Sequence, residues 1–123
     1  MPWRLAQQAG HPVLINFWAG WCEPCLAELP ALAALAQREQ ARGLRVVAVN
    51  FKEGTETVRR VAAAHGTAMV WLRDSYGEAA RAWGVRSFPA SVLVGRNGRA
   101  QWSVRGAVDW ADASVLQRLA ANG

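Results

Sequence analysis

Cysteine and histidine are scarce in this sequence. Its 123 residues include two cysteines and two histidines, and His11 and His65 stand isolated and far apart. A zinc site of the finger or ribbon type takes two pairs of such ligands, so no metal site is expected. A chain of this length buries roughly 65 to 70% of its unfolded surface and does not need a disulfide to fold. We interpret both histidines as structural residues.

Lysine, long apolar runs and charge clusters are also scarce or missing. All but one of the 14 basic residues are arginine, and only Arg59 and Arg60 are adjacent. These arginines form no stripe that could follow a phosphate backbone, so the net charge of +5 does not indicate nucleic-acid binding. No segment reaches the roughly eighteen consecutive apolar residues of a membrane span, and the first residues lack the pattern of a signal peptide.

The sequence does contain an alternation of strand-like and helix-like stretches. With 52% apolar and 19% charged residues it is typical of a compact folded chain. No repeat or linker divides it, and we expect one domain over residues 1–123. Apolar periodicity predicts strands at 13–18, 44–51 and 68–72, and helices at 25–42, 55–65, 76–83 and 110–121.

The two ends of the chain predict different strand pairings. The first strand, helix and second strand imply a right-handed parallel crossover. Two strand-like runs around residues 95–98 indicate an antiparallel hairpin, and Asp109 is the expected N-cap of the last helix. The fold class is therefore α/β, with a mixed central sheet covered by helices.

The only two cysteines form a CxxC pair, Cys22-Glu23-Pro24-Cys25, at the start of the first predicted helix. Unpaired N–H groups and the helix dipole favour a thiolate at Cys22 and lower its pKa. Pro24 suits the first turn of a helix. A purely structural disulfide would close a very short loop and stabilise the chain little. A CxxC pair beside a strand–helix–strand unit instead indicates a thioredoxin-like redox centre.

Several motifs together resemble one family. NFWAGWCEPC, LAELP, RVVAVNF, YGEAARAWGV, SFPASVLV and RNGR, followed by a closing helix, are similar to extracytoplasmic thioredoxin-like proteins of the TlpA, ResA and DsbE (CcmG) type. The match runs in order from about Pro12 to Ala120. It implies a thioredoxin-like three-layer sandwich with helices on both faces. It also implies that Cys22 is the nucleophile and that Cys25 resolves the mixed disulfide.

The resemblance extends to the proton chemistry of the site. Asn16 stands where cytoplasmic thioredoxins carry a buried acid, so the proton acceptor must come from elsewhere. Glu28 matches the family's acidic residue and is expected to take the proton of Cys25, although a helical glutamate judged by itself is usually solvated. Glu23 is expected to be exposed, to oppose ionisation of Cys22 modestly and to influence partner choice.

The substrate-binding residues are also implied by the resemblance. Pro89 occupies the position of the family's cis-proline opposite the CxxC pair, and Phe88 before it would offer free backbone groups to an extended substrate. Phe88 is bulkier than the family's usual residue. Trp21 is expected at the apolar rim, with Glu23 and Pro24 beside it. The structural expectations are Trp18 beneath the site, a helix kink at Pro30, and core or half-buried tryptophans at 71, 83, 102 and 110.

The activity expected is thiol-disulfide exchange with cysteines of partner proteins, with no cofactor beyond the Cys22–Cys25 disulfide. The resemblance favours a monomeric reductant of exported proteins, for example in cytochrome c maturation, supplied by a thiol electron donor that can be membrane-bound. We expect a periplasmic or other extracytoplasmic domain that lacks its signal or anchor. The alternatives are an oxidant that forms disulfides, a non-catalytic binding module, and a copper-handling protein, which would need a paired histidine.

Overall fold

The computed structural model describes residues 3–122, in which strands and helices follow one another in the predicted order. The strands are Val13–Trp18 (β1), Arg45–Phe51 (β2), Val70–Asp74 (β3), Ala90–Val94 (β4) and Ala100–Arg105 (β5). The helices are Glu23–Glu39 (α1), Thr55–Ala63 (α2), Glu78–Ala82 (α3) and Ala113–Asn122 (α4). Short 3-10 turns occupy Leu5–Gln8 and Gln40–Arg42.

The five strands form one mixed sheet in the order β3-β2-β1-β4-β5. Strands β1, β2 and β3 are parallel, whereas β4 is antiparallel to both β1 and β5. Phe17 near the end of β1 is paired with Val49 of β2 and with Ala90 of β4. All six residues of β1 are buried, as expected for a central strand covered on both faces. The carboxyl end of β1 therefore lies between β2 and the start of β4.

Helices cover both faces of this sheet. Because side chains alternate along a strand, Leu14 and Trp18 of β1 pack with α1, α2 and α4, whereas Ile15 and Phe17 lie on the opposite face. That second face is covered by α3 and the segment around Leu5. The result is the predicted three-layer α/β sandwich, and the fold class is confirmed.

Several element boundaries differ from the predictions. Strand β3 begins at Val70, two residues later than expected. Helix α4 begins at Ala113, because the carboxylate of Asp112, and not that of Asp109, receives the N–H of Ser114 at 2.8 Å. Asp109 instead receives the N–H of Ala111 at 3.0 Å in the preceding turn. Trp110, predicted to open this helix, is fully buried in the core before it.

Helix α1 continues on both sides of its proline. It begins at Glu23, two residues before the predicted start, and continues through Pro30, which is exposed. The chain leaves the helical region at Gly43, which has a φ of 96° that favours glycine. Among the helices of residues 3–122, none is long and apolar enough to cross a membrane.

Candidate active site

Cys22 is the N-cap residue of α1, directly after the loop that follows β1. Its backbone is extended, with φ −102° and ψ 103°, and its N–H donates to the carbonyl of Ala19 at 3.2 Å. Its Sγ accepts the N–H of Cys25 at 3.3 Å. A sulfur in this position faces the unpaired N–H groups and the positive end of the helix dipole. Both effects favour the thiolate of Cys22 over its thiol.

Cys22 and Cys25 are joined by a disulfide, with their Cα atoms 5.3 Å apart. Cys22 retains 6% of its surface and Cys25 none, so only Cys22 has surface that a partner can reach. Glu23 and Pro24 between them are exposed in the first turn, as expected. The two cysteines of the pair therefore differ in their access to solvent.

Glu28 lies one turn after Cys25 on α1 and is only 6% exposed. Its Oε1 accepts Nδ2 of Asn16 at 2.8 Å, and its Oε2 accepts the N–H of Val108 at 2.9 Å and Nε1 of Trp110 at 3.2 Å. Burial raises the pKa of Glu28 above its ordinary value, and these three donors oppose the increase. Glu28 is therefore a buried carboxyl and not a solvated helical residue.

Asn16 links this carboxyl to the sheet. Its Nδ2 also donates to Oγ of Ser91 on β4 at 3.0 Å, and both residues are fully buried. Its Oδ1 has no hydrogen-bond partner among the residues described. The roles of Ser91, Val108 and Trp110 as neighbours of the buried carboxyl were missed from the sequence. Only tertiary packing brings Ser91 to Asn16, 75 positions away, and Trp110 to Glu28, 82 positions away.

The loop before β4 forms the other wall of the site. The Phe88–Pro89 peptide bond is cis, and Pro89 is buried while Phe88 is half-buried. The Phe88 ring contacts Trp21 edge-on, with ring centroids 5.9 Å apart. Trp21 is 65% exposed, as expected at an apolar rim beside Cys22. Within residues 3–122, the N–H and C=O of Phe88 make no hydrogen bond and remain available.

A carboxylate that the sequence did not single out holds the loop before Cys22. Oε1 of Glu53 accepts the N–H of Gly20 at 2.6 Å and Nδ2 of Asn50 at 2.8 Å. A Cβ on Gly20 would lie 3.0 Å from Thr57 and 3.1 Å from both Glu53 oxygens, so the loop packs closely here. The sequence could have indicated this contact, because Glu53 follows β2 at the edge of the sheet where the parallel strand β1 also ends.

Other aromatic contacts lie in the core or against it. Trp18 is fully buried and meets Trp71 edge-on at 5.7 Å, and His65 stacks on Trp71 at 6.2 Å. Trp102 is half-buried against Trp110 at 6.0 Å. Over the described part of the chain, no group of three His, Cys, Asp or Glu side chains is placed to hold a metal ion.

A mixed sheet of this order, with a CxxC disulfide at the N-terminus of α1 facing a cis-proline loop, defines a thioredoxin-like protein. The chain belongs to the Redoxin family, whose profile matches residues 2–119. Solved structures agree with this assignment. A DsbE-type thiol:disulfide interchange protein from Chlorobium tepidum superposes with a TM-score of 0.86 at 29% identity, covering 96% of this chain and 84% of that chain.

Curated relatives give the subgroup. The thiol-disulfide oxidoreductase ResA of Geobacillus thermodenitrificans is 31% identical over 103 residues, which are 84% of this chain and 59% of that protein. The thioredoxin-like protein YneN of Bacillus subtilis is 38% identical over 97 residues, 76% of this chain and 56% of that protein. The chain thus spans less than two thirds of these relatives. They confirm the predicted resemblance to the TlpA, ResA and DsbE type.

Proposed function

We propose that this protein is a thiol-disulfide oxidoreductase that exchanges its Cys22–Cys25 pair with cysteines of partner proteins. The observation that carries the proposal is the disulfide at the N-terminus of α1, in which one cysteine keeps exposed surface and the other is fully buried. The names of the relatives ResA and DsbE support it. A disulfide with a purely structural role needs no such difference in solvent exposure between its two cysteines.

In the reducing direction, the thiolate of Cys22 attacks one sulfur of the partner's disulfide. The partner's S–S bond breaks, its other sulfur leaves with the electron pair and takes a proton from water, and Cys22 becomes disulfide-bonded to the partner. The Cys25 thiolate then attacks the Cys22 sulfur and displaces the partner's second thiolate, which is protonated in turn. The partner ends with two thiols and the protein with its internal disulfide.

Glu28 supports the second step as proton acceptor for Cys25. It lies one turn further along α1 and, like Cys25, on the buried side of that helix. A carboxyl whose pKa is raised by burial holds a proton more readily than a solvated one, which suits a group that must collect a thiol proton near neutral pH. Asn16, Val108 and Trp110 hold the carboxyl in place as its charge changes.

Partner binding is assigned to the exposed rim of the site. Trp21 supplies an apolar surface beside Cys22, and the free N–H and C=O of Phe88 can pair with an extended segment of the partner. Pro89 fixes this loop opposite the disulfide, and Glu23 and Pro24 border the approach to Cys22. Phe88 narrows the range of partner side chains that fit next to the reacting cysteine.

For the cellular setting, we favour reduction of exported proteins in an extracytoplasmic compartment, with cytochrome c maturation as the first process to test. The similarity to ResA and DsbE supports this setting. We take the chain to act as a single thioredoxin-like domain without a cofactor other than its disulfide. Its partners are then cysteine-containing proteins and a thiol electron donor.

The experiment that tests the function is a measurement of the reduction potential in defined thiol buffers, followed through the fluorescence of Trp21 beside the disulfide. A value near or below about −220 mV supports a reductant supplied by a dedicated donor, and one nearer about −120 mV supports a disulfide-forming oxidant. A pair that does not equilibrate with thiol buffers at all would contradict the proposal.

A further inference from the structure

A row of aromatic rings leads away from the disulfide. We define the aromatic row as Trp21, Phe88 and Phe51: the first two rings meet edge-on at 5.9 Å, and the second and third are tilted against each other at 4.7 Å. Trp21 is largely exposed, and the other two are half-buried. The row gives an apolar surface that begins beside Cys22 and ends at the carboxyl end of β2.

The only lysine of the chain lies at the far end of this row. Nζ of Lys52 is 5.0 Å from the centroid of the Phe51 ring. Lys52 has a φ of 59°, a left-handed conformation that residues with a Cβ rarely adopt, and its N–H donates to the carbonyl of Asp74 at 2.9 Å. A Cβ on Gly77 would come within 2.8 Å of Lys52 Cε, so the lysine stem packs against that glycine. The ammonium group thus lies at the Phe51 end of the aromatic row.

The charge of Lys52 is not neutralised by the protein. Within residues 3–122 its ammonium makes neither an ion pair nor a hydrogen bond. The acid next to Lys52 in sequence and the acid whose carbonyl accepts its N–H are engaged elsewhere. Glu53 binds Gly20 and Asn50, and the Asp74 oxygens accept the N–H groups of Ala79 and Ala80 at 3.1 and 2.9 Å. A cation next to an apolar row is therefore available to an external partner.

We propose that Lys52 and the aromatic row select partner segments that carry an acidic residue a few positions from the reacting cysteine. This inference rests on the proposed thiol-disulfide exchange and adds the class of substrate to it. The partner's cysteine faces Cys22, an apolar side chain next to it covers Trp21 and Phe88, and a carboxylate reaches Lys52.

The geometry sets the spacing. The steps along the row are 5.9, 4.7 and 5.0 Å, and an extended chain advances about 3.3 Å per residue, so the carboxylate at Lys52 lies at most about five residues from the part of the partner that covers Trp21. Glu23 places a negative charge at the other end of the row, because its exposed carboxylate lies between the two cysteines. An acid directly beside the partner's cysteine is repelled there, whereas one at the distance of Lys52 is attracted.

The test uses peptides with one cysteine activated as a disulfide with a small chromophoric thiol. The peptides have leucine beside the cysteine and a single glutamate placed one to six residues from it, and each is paired with a glutamine control. The Cys25→Ser variant reacts with each peptide, and the released chromophore gives the rate. At low salt, glutamate about four or five residues away should increase the rate about two- to five-fold over glutamine, and the preference should fade as salt rises.

The role of the Lys52 charge is tested by substitutions that remove, keep or reverse it. Added to the same background, Lys52→Gln should abolish the preference, Lys52→Arg should retain it, and Lys52→Glu should reverse it toward a lysine-containing peptide. Arg99→Gln, in the exposed turn between β4 and β5, is the matched control and should leave the preference unchanged. Equal rates for glutamate and glutamine peptides, or a preference that survives Lys52→Gln, would overturn this inference and leave the proposed thiol-disulfide exchange standing. Failure to react with every peptide and with small disulfides would overturn the proposed function as well.

Discussion

The indole Nε1–H of Trp110 donates a hydrogen bond of 3.2 Å to the carboxylate of Glu28, although 82 positions separate the two residues. Trp110 is fully buried, so this contact closes the site from the side of the last helix. The same Glu28 oxygen accepts the N–H of Val108 at 2.9 Å. The segment between β5 and α4 therefore contributes to the redox site as well as to the core, because it fixes the carboxyl proposed to serve Cys25.

Glu28→Gln should slow the resolution of the mixed disulfide. The amide cannot accept the Cys25 proton, and a positioned acid or base contributes at least about 100-fold, so a loss of that order is expected. Stopped-flow measurement of partner release at pH 7 checks this value. The matched control is Glu56→Gln, an exposed acid in the first turn of α2, which should leave release unchanged. If Glu28→Gln released the partner as fast as Glu56→Gln, Glu28 would have only a structural role.

The same substitution should change the dependence of stability on pH. The pKa of Glu28 is raised in the folded state, so the favourable contribution of its neutral form is complete below the unfolded value and is lost as pH rises through the folded pKa. The uncharged amide of the variant carries no such penalty, and an inverted Asn16 amide can accept from it through the unpaired Oδ1. Urea unfolding of the oxidised proteins should therefore show Glu28→Gln gaining stability relative to the wild type as the pH rises from 4.5, the ordinary pKa of a glutamate, through the raised pKa of the folded state. A difference that stays constant across this range would contradict the prediction.

The sequence was sufficient for the order of the elements and for the chemistry that resides in local motifs. The buried run of β1 and the CxxC pair at the start of α1 both follow from short-range patterns, and both are present. The predicted start of α4 was wrong. Both Asp109 and Asp112 are residues that can cap a helix, and burial of Trp110 in the core places the start of the helix after Asp112. The surroundings of Glu28 could not be predicted, since they depend on how β1, β4 and the segment before α4 pack together.

Glu53→Ala should weaken the loop that carries Cys22. Each hydrogen bond to a charged group contributes about 1.5 to 3 kcal/mol, and the variant loses those from Gly20 and Asn50, so a destabilisation of at least this size is expected. Glu53→Gln keeps an oxygen for the Gly20 N–H and should lose less. The rate at which Cys22 attacks a small disulfide should follow the same order. If both variants attacked the small disulfide at the wild-type rate, the contact would stabilise the fold without positioning Cys22.

Trp21→Ala should affect partner recognition and leave the fold largely intact. The side chain is 65% exposed, so the free energy of unfolding should change by less than about 1 kcal/mol. Loss of an aromatic residue at the centre of a binding surface should slow exchange with protein disulfides about tenfold, while small disulfides, which do not reach the rim, react as before. Parallel kinetics with both substrates check this. A similar loss for both would assign Trp21 to the chemistry of Cys22 and not to recognition.

Cys25→Ser should trap partner proteins as covalent adducts through Cys22. Only Cys22 retains exposed surface, and the buried Cys25 is the one internal group able to displace the bound partner, so its loss leaves the mixed disulfide unresolved. Mass spectrometry under non-reducing conditions should find one partner per chain on Cys22, and Cys22→Ser should form no adduct. Because serine places a hydroxyl in a fully buried position, Cys25→Ala provides a second variant with the same expected result. Release of the partner by both variants at the wild-type rate would exclude the resolving role of Cys25.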